Sequence, residues 1–405
     1  MVIREYAACE ECGTAHVLRI GIGAEPVQAH QFACTSCGEE MNIKLETGMG
    51  MTCGPNAIKV EPDDTAPIVN LHPSFVFSKD EIGSADAFPS LVMGAKMLTA
   101  AFEARRRAGL TTDLDELAAV EQPRQPRTTE EWDALRAAWS LTRNGRHDLA
   151  AKRLTGFMSA HFYQEPPDSI ADWVFQFADK LIGPYFMGHW EALFEQLDEA
   201  VNKDDFPRFV AYYGDHMSAS HAQRYFEVMK AYLGAYTEFS QVHYAVTSNI
   251  EIDDNHAAAS RNFGATRMFY GNAFEALGSN VEILTALNNL LAGRPFDQLQ
   301  TITLEEYQRL DKAGRFNAFA ANPAFAAVCE EADNQLRNAS HHGGMTFDAA
   351  SGLIEYRAGK GGQGDVLTMS YARYLARCSR IFIQLMLLLR LEMLIADKFR
   401  VRIPL

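Results

Sequence analysis

Two short cysteine knuckles constrain this chain more than any other feature. Cys9-Glu10-Glu11-Cys12-Gly13 and Cys34-Thr35-Ser36-Cys37-Gly38 share one form, with 21 residues between them. Each pair must turn tightly so that two thiolates point at one ion. The glycine after each pair permits the backbone conformation that the turn needs. Four soft thiolates make a closed tetrahedral set that favours zinc over magnesium or calcium, with iron as the other option for a soft site. A closed set has no open coordination position, so the expectation is one structural zinc per chain on Cys9, Cys12, Cys34 and Cys37. A reactive dithiol would need only one pair. The remaining neighbours, Cys53, His16 and His30, are then expected to be a buried thiol and two surface imidazoles.

The count of seven cysteines is odd. The opening Met1-Val2-Ile3-Arg4-Glu5-Tyr6 has no apolar stretch behind its basic residue, so no leader is expected. Together these favour metal binding in a reducing compartment over a disulfide framework, and the expected localisation is cytoplasmic. The strongest apolar run, 381–389, is interrupted by Gln384 and closed by Arg390 and Glu392. It is far shorter than the ~20 residues of a membrane span and reads as a buried helix, so no membrane partner is expected.

Lys and Arg number 37 against 52 Asp and Glu, a formal charge of −15. A field of that sign does not coat nucleic acid, so any RNA or DNA site must be a local basic patch. The knuckle region is itself acidic. Residues 1–58 carry Arg4, Arg19 and Lys44 against seven acids, which favours a folding or protein-contact role over phosphate contact.

Along the chain, Val17-Leu18-Arg19-Ile20 and Asn42-Ile43-Lys44-Leu45 read as short strands. Residues 61–67 read as a linker. Helical periodicity predicts helices at 89–108, 129–158, 168–200, 206–214, 218–245, 256–292, 304–313, 322–340 and 368–398, with Asp254 or Asn255 capping the helix after it. Residues 352–357 and 365–368 flank a Gly-Lys-Gly-Gly-Gln-Gly turn and read as a β-hairpin. The expected fold is mainly α: a helical bundle with a small N-terminal β zinc ribbon and a β-hairpin insertion near the C-terminus. The expected domains are a zinc ribbon at 1–60, a linker at 61–88, a helical middle domain at 89–217 and a helical domain at 218–405.

The most informative chemistry lies in Arg337-Asn338-Ala339-Ser340-His341-His342-Gly343-Gly344. A guanidinium holds a phosphate through a bidentate fork, and an imidazole exchanges a proton near neutrality. Arg337 and His342 at one helix end could therefore bind a phosphodiester and activate a ribose 2′-OH without a metal. Asn338 would orient the phosphate or hold the helix end. The bland alternative is an ion pair of Arg337 with Asp333 and two histidines that complement the helix dipole before a Gly343 cap. Ser340 has no Ser/His/Asp order to make it a nucleophile.

Arg337-Asn338-Ala339-Ser340-His341-His342 resembles the Arg-Asn-x-x-x-His signature of HEPN domains (higher eukaryotes and prokaryotes nucleotide-binding). The likeness covers roughly residues 218–405 and includes an all-helical setting and a long apolar helix after the motif. It implies a metal-independent endoribonuclease of prokaryotic defence or toxin–antitoxin systems, acting on RNA as a homodimer whose two motifs face one cleft. Arg337 would bind phosphate, His342 would be the acid/base and Asn338 the polar helper, with no cofactor for catalysis. His341 follows Arg337 too closely for that spacing, and its role stays open. The alternative from another class is a non-catalytic dimeric scaffold that binds a protein partner through the ribbon or middle helices. From Arg337 onward there are ten basic residues against five acidic, which is either an RNA-facing patch or a solvated helix face.

Three weaker patterns are set aside. Arg143-Asn144-Gly145-Arg146-His147 has the wrong spacing and a turn-forming glycine. The glycine run at 359–364 lacks the Lys-Ser/Thr ending of a phosphate loop. His216 and His221 are five apart, which puts them on somewhat different helix faces, and no carboxylate completes a metal set with them.

Overall fold

The computed structural model describes the chain except residues 47, 108–125, 162, 164, 342–343, 349–350, 358, 360–363 and 402–405. It is about 54% helical with several small sheets, and no described helix is long and apolar enough to cross a membrane. Two units emerge, neither continuous in sequence. The first comprises Met1–Thr112, Ala235–Met268 and Asn338–Ser379, and the second Asp113–Gly234, Phe269–Arg337 and Arg380–Leu405.

The first unit is built on strands β1 (Val2–Cys9), β2 (Ala15–Gly21), β3 (Val27–Ala33), β4 (Glu40–Glu46), β5 (Gly50–Cys53), β6 (Ala57–Lys59) and β7 (Ile68–Leu71). They form two sheets, in the orders β6-β1-β2-β7 and β3-β4-β5. β1–β2 and β3–β4 are antiparallel hairpins, and the knuckles are their turns. Alternate residues of these strands (Leu18, Ile20, Phe32, Met41, Ile43, Leu45, Val69, Leu71) fill one apolar core, as period-two patterning requires. The stretch expected as a linker is folded at both ends of its span. β7 pairs in parallel with β2. Ser78 and Glu81 form a reciprocal capping box on the helix Lys79–Ile82. β8 (Phe77–Ser78) pairs with β9 (His256–Ala257).

Near the C-terminus, β11 (Leu353–Arg357) and β12 (Val366–Ser370) form the expected antiparallel pair, and β10 (Met345–Asp348) adds a third strand. Most of the glycine-rich connection lies outside the described residues. Asp254 does not cap the segment that follows it in sequence. Its Oδ1 accepts the Ser370 N–H at 2.8 Å and its Oδ2 pairs with Arg373 at 2.6 Å, at the start of the helix Tyr371–Phe399.

Several expected helices are divided, each for a local reason. The 129–158 span breaks between Thr128–Arg143 and His147–Ala160 at Gly145, whose φ is 72°. The 168–200 span breaks between Ile170–Ile182 and Met187–Val201 at Gly183, with φ 73° and ψ 173°. The 218–245 span divides at Ala235 into Ser218–Gly234 and Tyr236–Thr247. The 256–292 span is non-helical at its start because side chains capture its backbone. Gln241 Oε1 accepts the N–H groups of Ala259 and Ser260, and Glu238 accepts from Ser260 Oγ and from Asn262 N. Asn262 then caps a short turn, Phe263–Thr266. The 322–340 span gives only Pro323–Ala327 and Asn334–His341.

In the second unit the 381–389 run of the last helix is buried on every side. Phe382 lies 3.8 Å from the Tyr232 ring in a parallel stack. Arg390, 6% exposed, pairs with Asp179 at 2.7 Å and lies over the rings of Phe175 and Trp190.

Candidate functional site

The two knuckles are near copies of each other. In the first, Gly13 N–H donates to Cys9 O and Cys9 N–H to Thr14 O, at 2.9 and 3.0 Å. In the second, Gly38 donates to Cys34 O and Cys34 to Glu39 O, at 3.0 and 2.8 Å. Both glycines have φ near +75°, at 74° and 77°. Nothing crowds either position, so the requirement is the left-handed backbone and not space.

Each knuckle presents one buried and one exposed cysteine. The four sulfurs lie within 4.8 Å of one another. Cys9 and Cys37 are 3.7 Å apart, and Cys12 and Cys34 are 3.6 Å apart. Thiolates about 2.3 Å from a zinc ion stand about 3.8 Å from each other at the corners of a tetrahedron. The cluster therefore fits a tetrahedral ion of that size, and these four residues could hold one. Thr14 lies 3.2 Å from Cys12 Sγ; its hydroxyl and N–H lower the Cys12 thiol pKa. For Cys37 the Glu39 backbone bond lowers the pKa, but the neighbouring thiols outweigh it and the pKa is raised.

The histidines beside the cluster differ from expectation. His16 and His30 are both fully buried, not surface imidazoles. His16 Nε2 accepts the N–H of Thr35 at 3.1 Å and so pins the second knuckle to β2. Neither is a fifth ligand in the cluster. Cys53 is half-buried, and burial raises its thiol.

The helix Asn334–His341 carries Arg337, Asn338 and His341. His342, the expected acid/base, lies outside the described residues. Asp333 starts the helix: its Oδ1 accepts the N–H groups of Gln335 and Leu336 at 2.8 and 3.1 Å. Arg337 therefore does not depend on Asp333 for a charge partner. Glu275, from the helix Phe269–Asn280, takes that place, with Arg337 Nε 2.6 Å from Glu275 Oε1 and Nη2 on the same oxygen. Sequence reading missed Glu275, since it lies 62 residues away. The guanidinium remains 27% exposed and its partner 31%. Ser340 is fully buried and donates to Arg267 O at 2.6 Å, a structural bond that leaves it no role as nucleophile. Asn338 is half-buried.

Four of the ten basic residues of the C-terminal stretch meet carboxylates among the described residues. Arg337 pairs with Glu275, Arg373 with Asp254, Arg390 with Asp179 and Lys398 with Asp198. The set-aside Arg143 bonds Gln223 and lies over the Phe226 ring.

No protein-family model, no curated protein and no solved structure matches this chain.

Proposed function

We propose that this chain is a metal-independent endoribonuclease of HEPN type, acting as a homodimer in prokaryotic defence or toxin–antitoxin biology. The observation that carries the reading is Arg337. It sits in a capped helix whose sequence continues into His341-His342, it is held in orientation by Glu275, and it is still more than a quarter exposed. A guanidinium so placed can exchange a carboxylate for a phosphodiester, which it binds in the same forked geometry. His342 would take the proton from a ribose 2′-OH, and Asn338 would steady the phosphate. The ion at the four cysteines is zinc in this reading, with a structural role only. Metal analysis should then find one zinc per chain, and Cys12→Ser should abolish it.

The test is RNA cleavage in the presence of EDTA by the wild type, Arg337→Ala and His342→Ala. Circular dichroism on the same samples is needed because the chelator can also strip the cysteine site. The expected result is cleavage with 2′,3′-cyclic phosphate ends, reduced at least about a hundredfold in both variants. A non-catalytic dimeric scaffold is the second reading, and the same ion pair favours it, because Glu275 already satisfies Arg337 within the fold. On that reading Arg337→Ala lowers the melting temperature and no RNA is cut by any of the three proteins.

A further inference from the structure

The second unit contains a buried acid–imidazole pair facing a cationic cavity. A single π-helical turn, Tyr213–Met217, separates the helices Phe206–Tyr212 and Ser218–Gly234. Such turns re-aim side chains and recur at functional sites. On one side, Tyr213, His221 and Tyr225 all converge on Glu392, which is 1% exposed. Tyr213 OH donates to Oε2 at 2.9 Å, while His221 Nδ1 and Tyr225 OH meet Oε1 at 2.8 and 2.6 Å. A carboxylate with three donors is satisfied as an anion. Because Nδ1 faces that carboxylate, Nε2 is the ring atom that can exchange a proton elsewhere.

His221 also lines a cavity of about 210 Å³. Three cations converge there: Arg224, Lys312 and Arg315. Among the described residues Arg224 bonds neutral acceptors, Asn280 Oδ1 at 2.6 Å and Ser220 Oγ at 3.1 Å. Arg315 is 8% exposed, its Nη2 bonds the Gln308 carbonyl, and its Nε has no partner. Lys312 makes no hydrogen bond or ion pair among the described residues, and burial together with Arg315 and Arg224 lowers its pKa against the opposing pull of Glu275 and Glu282. Gly278 lets Lys312 approach, since a Cβ there would lie 2.7 Å from Lys312 Cβ and 3.2 Å from its carbonyl oxygen. The one acid among the described lining residues, Glu282, accepts from Gln308 at 2.7 Å and forms no ion pair with the three cations.

Three half-buried or buried cations against the single lining carboxylate of Glu282 leave the described lining with a net positive charge, which an entering anion offsets. The lining offers donors in several directions, which suits a tetrahedral oxyanion of acceptors only. The cavity is smaller than the ~300 Å³ at which small-molecule sites begin, so it fits one charged group and not a whole metabolite. We propose that it binds a phosphoryl group, with Arg224, Lys312 and Arg315 as counter-ions and His221, oriented by Glu392, as the proton donor to a phosphoryl oxygen. The site is separate from the Arg337 reading and stands whether or not the chain cleaves RNA.

Calorimetric titration of the full-length protein with inorganic phosphate and with AMP, in buffer free of other oxyanions, tests it. Binding of either ligand is expected, weakened at least about tenfold in Lys312→Gln. Binding of both ligands identifies the free phosphoryl group as sufficient, and binding of AMP alone identifies a phosphomonoester as the source. Acetylation of the wild type gives a second readout that needs no variant: whichever of the two ligands binds should protect Lys312, read by mass spectrometry. No binding of either ligand, equal binding by Lys312→Gln, or no protection of Lys312 would each overturn the proposal.

Discussion

Neither ring nitrogen of His30 meets a hydrogen-bond partner, although its side chain is fully buried. Burial, with the nearby His72 imidazole adding to it, pushes the His30 pKa down to about 3. In the unfolded chain the ring titrates near its ordinary value of about 6.5. Below that pH the unfolded state takes up a proton that the folded state refuses, so stability falls as pH drops from about 6.5 towards 3. The loss from this one residue is about 2 kcal/mol between pH 6.5 and 5, at about 1.4 kcal/mol per unit. His30→Leu removes both orphaned nitrogens along with the titration. Urea unfolding at pH 7.5 and pH 5 should show the variant losing about 2 kcal/mol less than the wild type across that interval, and equal losses would sink the argument. The four cysteines were legible as a cluster because knuckle spacing is a local property of the chain. His16, His30, Glu275 and Glu392 were not, because what defines each is its burial or a partner far away in sequence.

Hydrophobic periodicity gives the existence of helices and is silent about where they stop. Gly183 stops one, with φ 73° and ψ 173°, in a region that only glycine occupies without strain. Gly183→Ala should therefore destabilise the chain by about 1–3 kcal/mol. Gly156 sits inside the helix His147–Ala160 with nothing near a would-be Cβ. Gly156→Ala should stabilise by about 0.5–1 kcal/mol. Urea unfolding of the two variants should move in opposite directions, and a stabilised Gly183→Ala would mean the break has another cause. Gly145 and Gly183 could be read as stops from the sequence, once weighed above periodicity. The non-helical stretch at 258–262 could not, since Gln241 and Glu238 hold it from the preceding helix. In the same way β7 hides in a Pro- and Asp-rich stretch, and only its pairing with β2 makes it a strand.

At the scale of the whole molecule, charge decides how RNA could be held. The chain carries a net charge of −15, and that field opposes a polyanion within the ~10 Å that salt leaves unscreened. Four of the cations in the positive C-terminal stretch already face carboxylates. A cation that must first leave a carboxylate contributes little net counterion release. On the proposed nuclease reading, RNA binding should then rest on a few phosphate contacts near the helix Asn334–His341 and not on a broad basic surface. With about two to four such contacts, the logarithm of affinity for single-stranded RNA should fall with that of salt at a slope of about −1.5 to −3. Filter binding of the His342→Ala variant between 50 and 200 mM salt measures this without cleavage. A slope steeper than about −5 would require a contiguous basic face, and it would contradict the pairing of Arg337, Arg373, Arg390 and Lys398 within the fold. A measurable affinity with the shallow slope would instead place recognition in a small site whose contacts work against the molecule's own field. A composite cleft shared by two copies would then serve to double the few contacts that one chain can offer.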